Sequence, residues 1–192
     1  MARKNDKRDL LVATAAGLFW RRGYALTSLA DLARESGVPL GNIYYYFKTK
    51  AELARMVANI FVEETERMLA EISDASSDAR GRLQLLVDRL AHTLKSRVEH
   101  GCPIAFAIRD FHDEAPEAAM RAGESFSLLI AFIARELGRT GLRPSLALGV
   151  ARNAVVEWQG GITLAHALKE PAILAECFRR MEKILVNRVD RG

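Results

Sequence analysis

Apolar residues recur every three or four positions over most of the chain, which is the spacing of helices that bury one face. This spacing predicts helices over residues 5–22, 50–72, 78–99, 117–138, 144–167 and 171–189. Segments that alternate apolar and polar positions, as half-buried strands do, are missing from the sequence. The pattern therefore predicts an all-α fold without a sheet.

Glycine, proline and capping residues mark where these helices begin and end. Gly23 follows the first helix, and either Thr27 or Ser28 is placed to cap the second. Proline suits the first turn of a helix, so we expect a helix start near each of Pro39, Pro103, Pro116, Pro144 and Pro171. The basic start of the chain predicts a small N-terminal domain over residues 1–48, followed by a larger helical domain over residues 49–192.

The stretch LADLARESGVPLGNIYYYF has the organisation of a helix–turn–helix. Leu29, Leu32 and Ala33 line one face of a short helix, and Ala33 is small where two helices would cross closely. Gly37 stands four residues later, where a tight turn requires a positive φ. A second short helix follows, and this motif presents its second helix to the major groove of DNA.

The second helix opens at Pro39 or Gly41 and carries two apolar residues, Ile43 and Phe47, that are four positions apart. This spacing places both on one face, which we expect to lie against a small core. Asn42 is placed either to bond an adenine edge or to contact the DNA backbone.

Three consecutive tyrosines fill the positions between these two apolar residues. If Ile43 faces inward, Tyr44 and Tyr45 point largely outward and Tyr46 lies at the flank. Exposed phenol rings beside lysines can pack on sugars or thymine methyl groups and can donate to phosphate oxygens. The alternative is that one or two of these rings, Tyr46 above all, only cover the small core.

The distribution of charge supports a contact with nucleic acid at this end of the chain. The formal net charge is +4 and the pI is about 9.3. Residues 1–50 alone hold nine Lys or Arg and four Asp or Glu, whereas the rest of the chain carries a net charge of −1. An excess of cations in one segment indicates a nucleic-acid or membrane-surface contact there.

The predicted DNA-contacting residues come from three helix starts and from the second helix of the motif. Thr27 and Ser28 can bond phosphate as well as cap, and Lys50 lies near a helix start that Thr49 is placed to cap, where free N–H groups attract phosphate. The alternative for Lys50 is a solvated surface lysine. The full set is Thr27, Ser28, Pro39, Leu40, Gly41, Asn42, Tyr44, Tyr45, Tyr46, Lys48 and Lys50.

Residues 10–56 resemble the DNA-binding domain of the TetR (tetracycline-repressor) family. The resemblance lies in FWRRGYALTSLADLARESGVPLGNIYYYFKTKAEL, with Gly-Tyr after the first helix, Thr-Ser before the second, and Tyr-Tyr-Tyr-Phe before a lysine. It implies a homodimeric, all-helical transcription regulator, commonly a repressor that a small molecule releases from DNA. It also implies that Thr27, Asn42, Tyr45, Tyr46 and Lys50 face DNA.

The stretch EHGCPIAFAIRDF is similar to the Gly-Cys-Pro turn of regulators in the LmrA/YxaF-like branch. In the wider family the region that matches residues 78–139 surrounds the inducer pocket. Arg109 or His112 could hold an anionic ligand, although pairing with a nearby acid such as Asp110 is the alternative, and most aromatic residues at helical spacing belong to a core. The candidate pocket residues are Phe106, Arg109, Phe111, His112, Phe126, Leu129, Phe132 and Trp158.

The last two predicted helices have broad apolar faces. The family resemblance makes them the pair that forms a four-helix bundle across a two-fold axis, so that two recognition helices read a palindrome one DNA turn apart. Without the resemblance, the same faces are ordinary intramolecular core. The predicted interface residues are Val150, Ala154, Trp158, Ile162, Ile173, Cys177, Phe178, Met181 and Leu185.

Other function classes find little support in the sequence. A P-loop, G-x-S-x-G, H-E-x-x-H or dinucleotide fingerprint is missing, so an all-α enzyme is a remote alternative. The histidines are scattered, and HDE at residues 112–114 would diverge on a helix, so neither a metal site nor a cofactor is expected. Cys102 stands at a helix start, where we expect a small buried residue in preference to a redox sensor.

Two distant cysteines and the lack of a long apolar run predict a cytoplasmic protein without a membrane span. The predicted partners are double-stranded DNA with a palindromic operator, a second copy of the chain and an unknown small-molecule effector. The alternative is a DNA-binding regulator that answers to a protein partner or to no effector.

Overall fold

The chain is helical throughout the part that the structure describes. A computed structural model describes residues 4–186, with side chains from residue 7 onward. Across this range the helices are α1 (Lys4–Arg22), α2 (Leu29–Ser36), α3 (Leu40–Tyr46), α4 (Lys50–Ala75), α5 (Ala79–Ala91), α6 (Leu94–His100), α7 (Pro103–Phe111), α8 (Pro116–Arg139), α9 (Pro144–Leu168) and α10 (Pro171–Leu185). No residue in this range forms a strand, and the predicted all-α fold is confirmed.

Helix starts follow the prolines closely. Each of the helices α7 to α10 begins at a proline, and Pro39 is the N-cap of α3. The last predicted helix, over residues 171–189, is helical as far as Leu185, and residues 187–189 lie outside the described range.

The predicted helix over residues 78–99 is wrong in one respect, because α5 and α6 are separate helices with a break at His92 and Thr93. Both side chains bind carbonyls of the preceding turn. His92 Nδ1 donates to the Asp88 carbonyl over 2.6 Å, and Thr93 Oγ1 donates to the Leu90 carbonyl over 2.7 Å. Such side-chain bonds compete with the helical hydrogen bonds, and the Thr93 N–H bonds the carbonyl three residues back instead of four.

The chain divides into two compact units. Unit 1 consists of Met1–Glu63 and Pro103–Glu124, and unit 2 consists of Glu64–Cys102 and Ser125–Gly192. The helix–turn–helix therefore shares its compact unit with α7 and the first part of α8. The domain boundary between residues 48 and 49 stays a prediction.

The core of unit 1 fixes the positions of α2 and α3. Leu32 of α2 and Ile43 of α3 are almost completely buried in it. Phe19, Tyr24 and Phe111 form an edge-to-face cluster in which every pair of ring centroids is separated by 5.0–5.8 Å. Helices as short as α2 and α3 are unstable alone, so their positions depend on this shared core.

In unit 2, α10 packs closely against α9. A Cβ atom at Gly161 of α9 would lie 3.0 Å from Cys177 Cβ of α10 and would clash with its Sγ atom. The two helices can approach this closely only because position 161 lacks a side chain. Over residues 4–186, every helix is too short or too polar to span a bilayer.

Candidate DNA-binding surface

The start of α2 is held by a reciprocal cap between Ser28 and Asp31. Ser28 Oγ accepts from the Asp31 N–H over 3.1 Å, and Asp31 Oδ2 accepts from the Ser28 N–H over 3.0 Å. Hydrogen bonds from the Ser28 side chain and backbone, supported by Arg34, lower the pKa of Asp31 to about 2. Ser28 is therefore the N-cap, and of the two predicted candidates Thr27 is excluded from that role.

The turn between α2 and α3 has the predicted glycine conformation. Gly37 has a φ of 69° and donates its N–H to the Ala33 carbonyl over 3.0 Å. The next N–H, that of Val38, donates to Ser36 Oγ over 3.2 Å, so the turn satisfies its own backbone groups. Pro39 then caps α3, which begins at Leu40.

Two buried residues hold α3 against the core and leave its other face outside. Ile43 and Phe47 are 0% and 2% exposed, whereas Tyr44 and Tyr45 are 48% and 62% exposed. Tyr46 is partly buried against the core and meets the Tyr45 ring edge to face, with 5.3 Å between centroids. The structure thus places two rings outward and one at the flank, while their contact with DNA stays a prediction.

Of the remaining predicted residues of this region, Thr27 is buried and Lys50 is partly buried, and the others are exposed. Pro39, Leu40, Gly41, Asn42 and Lys48 lie at the surface beside the tyrosines. Thr27 is only 2% exposed, and its hydroxyl donates to the Gly23 carbonyl over 2.8 Å. Its side chain therefore braces the loop between α1 and α2, and the structure does not bring it to the surface that α3 presents.

Lys50 begins α4, which Thr49 caps by accepting from the Glu52 N–H over 3.1 Å. Lys50 Nζ donates to the Tyr24 carbonyl over 3.1 Å and lies 4.1 Å from the centre of the Tyr24 ring. Glu114 Oε2 is 3.8 Å from the same ammonium. Burial, with a smaller effect of Glu114, raises the pKa of Tyr24 to about 12.

The positive charge counted in the first fifty residues is partly neutralised in the folded unit. Arg21 pairs with Glu35 over 3.0 Å, and Arg34 pairs with Asp31. Lys50 has Glu114 beside it. The count over residues 1–50 already includes Asp31 and Glu35, so only Glu114 lowers the positive charge of this segment further, and the geometry of α3 matters correspondingly more.

The structure separates the predicted pocket residues into two groups. Phe111 is buried in the core of unit 1, Arg109 and His112 are exposed, and Arg109 pairs with Asp110 over 2.7 Å and stacks on Phe106. This pairing is the alternative considered for Arg109. The other four residues belong to unit 2. Phe126 is partly buried there, and Leu129, Phe132 and Trp158 are each 2% exposed.

Most of the predicted dimer-interface residues are buried within the single chain. Eight of them are at most 9% exposed, and Ile173 is partly buried. A side chain already covered by its own chain cannot be covered again by a second copy, so these residues fit the alternative of intramolecular core. The exposed apolar residues of α9 are different ones, namely Leu146, Leu148, Val156, Leu164 and Leu168.

The sequence does not indicate that Tyr24, Asp110 and Glu114 surround Lys50 and the α1–α2 loop. The Gly-Tyr pair after α1 is the part of this arrangement that the sequence marks, because Asp110 and Glu114 lie far from Lys50 and the loop in sequence. Among the described residues, no group of three His, Cys, Asp or Glu side chains is arranged to hold a metal ion.

Comparisons with known proteins agree with this architecture. The family model for bacterial regulatory proteins of the tetR family matches residues 11–57, and the model for the C-terminal domain of LmrA/YxaF-like transcriptional regulators matches residues 79–180. The HTH-type transcriptional regulator YxaF of Bacillus subtilis is 28% identical over 177 residues, which cover 88% of this chain and 90% of that protein.

Two further proteins show the same relationship. The HTH-type transcriptional regulator LmrA of Bacillus subtilis is 26% identical over 168 residues, which cover 85% of this chain and 88% of that protein. The crystal structure of a TetR transcriptional regulator from Legionella pneumophila has a TM-score of 0.82 at 20% identity, covering 96% and 98% of the two chains, and shows the fold alone. The chain is therefore a member of the TetR family of helix–turn–helix, DNA-binding transcriptional regulators, with an LmrA/YxaF-like C-terminal domain, and is not an enzyme.

Proposed function

We propose that the protein is a homodimeric repressor that binds a palindromic operator and leaves it when a small molecule binds. The observation that carries this proposal is the outward display of Tyr44 and Tyr45 next to Asn42, on a helix held from behind by Ile43 and Phe47. This surface offers the groups that bind duplex DNA. Its amide can bond adenine, its phenol rings can pack on sugars and thymine methyl groups, and Lys48 can pair with phosphate. Since the operator lies on the chromosome, the proposed location is the cytoplasm.

The dimer is supported by an exposed apolar stripe on α9. Val156, Gly160, Leu164 and Leu168 follow one another at intervals of four residues, and the three large side chains are 54–69% exposed. Residues four apart lie on one face of a helix, so these positions form a continuous strip. Dimeric helix–turn–helix proteins bind two half-sites about 34–36 Å apart, so a second copy that covers this strip would match an operator of two half-sites.

Release by a small molecule is supported by the interior of unit 2. Ser125 Oγ, Trp158 Nε1 and Gln159 Nε2 are buried and have no hydrogen-bond partner among the described residues. A buried donor without a partner costs about 1–3 kcal/mol, so a bound molecule with acceptor oxygens would recover that free energy. The proposed effector site therefore includes Trp158 together with Leu129 and Phe132, two apolar residues predicted from the sequence.

A selection experiment tests the DNA-binding part of this proposal. Purified protein is incubated with a random-sequence duplex library at about 0.15 M salt, and the bound duplexes are amplified and sequenced. We expect an inverted repeat whose half-sites are centred about one helical turn apart. Recovered duplexes without any shared sequence would contradict the proposal, and a single half-site would contradict the dimer alone.

The effector is tested on the same duplex. Native mass spectrometry of protein purified from its own host would show whether the protein carries a small molecule. Trp158→Phe removes one of the unpartnered donors while keeping an aromatic ring, so weaker retention in this variant would locate the molecule in unit 2. We expect the molecule to be retained by the wild-type protein and to weaken binding to the selected duplex. Protein purified without any bound molecule, with duplex binding unchanged by host extract, favours the regulator without a small-molecule effector.

A further inference from the structure

The ammonium group of Lys50 already has partners inside unit 1. It donates to the Tyr24 carbonyl over 3.1 Å, lies 4.1 Å from the centre of the Tyr24 ring, and has Glu114 Oε2 at 3.8 Å. A lysine ammonium has three N–H donors and no acceptor, and here the carbonyl takes one donor while the carboxylate pairs with the charge. A DNA phosphate that approaches Lys50 therefore meets a side chain that is engaged.

We propose that Glu114 competes with the DNA backbone for Lys50 and thereby sets the affinity of this regulator for DNA. This inference rests on the proposed function, in which the surface beside α3 contacts the duplex. A carboxylate and a phosphate are both anionic oxygen groups that pair with an ammonium, so one can replace the other beside Lys50. The carboxylate of Glu114 also repels a phosphate that approaches this ammonium, which makes binding weaker than Lys50 alone would allow.

Glu114 is the partner that can give way. Its side chain is 58% exposed, and its distance of 3.8 Å to Lys50 is that of an ion pair without a close hydrogen bond. Tyr24, in contrast, is 1% exposed and packs between Phe19 and Phe111. The Tyr24 carbonyl and ring therefore keep Lys50 in position, while Glu114 leaves when a phosphate arrives.

The chain offers a matched control for this test. Glu117 lies three residues further on, at the start of α8, is 77% exposed and pairs with Arg55 over 3.7 Å. Replacing either glutamate by glutamine removes one negative charge from nearly the same place. Only the Glu114→Gln change removes the partner of Lys50, so a difference between the two variants isolates the competition from the general effect of charge.

The test measures the dissociation constant of a fluorescent duplex, selected from a random library by the wild-type protein, for Glu114→Gln and Glu117→Gln. Exposed ion pairs contribute little, so we expect Glu114→Gln to bind about two- to fivefold more tightly than Glu117→Gln. In a Lys50→Met background, checked for folding by circular dichroism, this difference should vanish. Equal affinities of the two glutamine variants, or an advantage that persists without Lys50, overturn the inference alone. A wild-type protein that selects no duplex overturns the proposed function and this inference with it.

Discussion

The backbone N–H of Tyr24 donates a hydrogen bond to Asp110 Oδ2 over 3.3 Å, although the two residues lie 86 positions apart. The bond joins the loop between α1 and α2 to α7 within unit 1. The same loop is braced by the Thr27 hydroxyl and by Lys50. Since Ser28 at the end of this loop caps α2, the position of the helix–turn–helix depends on contacts made outside the motif.

The first prediction concerns this bond. Asp110→Ala leaves the Tyr24 N–H without its acceptor in a mostly buried place, since the Asp110 side chain is 17% exposed. We expect the free energy of unfolding to fall by about 1–3 kcal/mol, measured by urea denaturation. Asp113→Ala, at an exposed position three residues on, should change it by less than about 0.5 kcal/mol. Equal losses in the two variants would show that the bond is unimportant.

The second prediction concerns the close approach of α9 and α10. Gly161→Ala places a methyl group against Cys177, so we expect a loss of about 1–3 kcal/mol in the free energy of unfolding. Gly149→Ala, in the same helix, meets no atom within 4 Å. Because alanine favours helix more than glycine does, this control should be neutral or up to about 1 kcal/mol more stable. A Gly161→Ala protein as stable as the control would contradict the packing described for unit 2.

The third prediction concerns pH. The pKa of Asp31 is lowered from its ordinary 3.8 to about 2, so the stability that its carboxylate contributes is fully present above that ordinary value and is lost as the pH falls through about 2. A nuclear magnetic resonance titration of the Asp31 carboxyl carbon should show its midpoint there. Ser28→Ala removes the main cause of the shift and should move the midpoint up towards 3.8. An unchanged midpoint in that variant would exclude the side-chain cap as the cause.

The fourth prediction concerns the proposed dimer. Val156→Glu or Leu164→Glu places a charge in the exposed apolar strip of α9, where the cost of burying it opposes association. We expect sedimentation to show a wild-type mass of twice 21.3 kDa and a variant mass of 21.3 kDa at low micromolar concentration. Leu26→Glu, at an 81% exposed leucine in unit 1, is the control and should remain dimeric. If these variants keep the doubled mass, the dimer interface does not include the α9 strip.

Local features of the site could be predicted because the groups that determine them are close in sequence. Ser28 and Asp31, which cap α2, are only three residues apart. Gly37 supplies the positive φ that the turn between α2 and α3 requires. Ile43 and Phe47, one helical turn apart, decide that Tyr44 and Tyr45 lie outside. The break between α5 and α6 could not be predicted from apolar spacing, because this spacing continues through it. The break occurs where the side chains of His92 and Thr93 donate hydrogen bonds to backbone carbonyls.

The assignments that depend on distant partners could not be predicted from periodicity. An apolar stripe shows that a helix face is covered and does not show by what. The prediction that Met181 contacts a second chain rests on the family resemblance, and in the structure its own chain already buries it fully. Likewise, nothing near Lys50 in the sequence indicates that Glu114 stands beside its ammonium. Such pairings arise from the tertiary fold, and only the structure reveals them.

The affinity of α3 variants for the selected duplex is the most direct test of the central claim that α3 reads DNA. Asn42→Ala and Tyr45→Ala remove exposed side chains that the core does not need, so both should fold normally. We expect each to weaken binding by about 10- to 100-fold, as loss of a base or sugar contact does. Met120→Ala, which removes a 70% exposed side chain on α8, should bind within about twofold of wild type. If the α3 variants bind as tightly as this control, α3 is not the element that reads DNA.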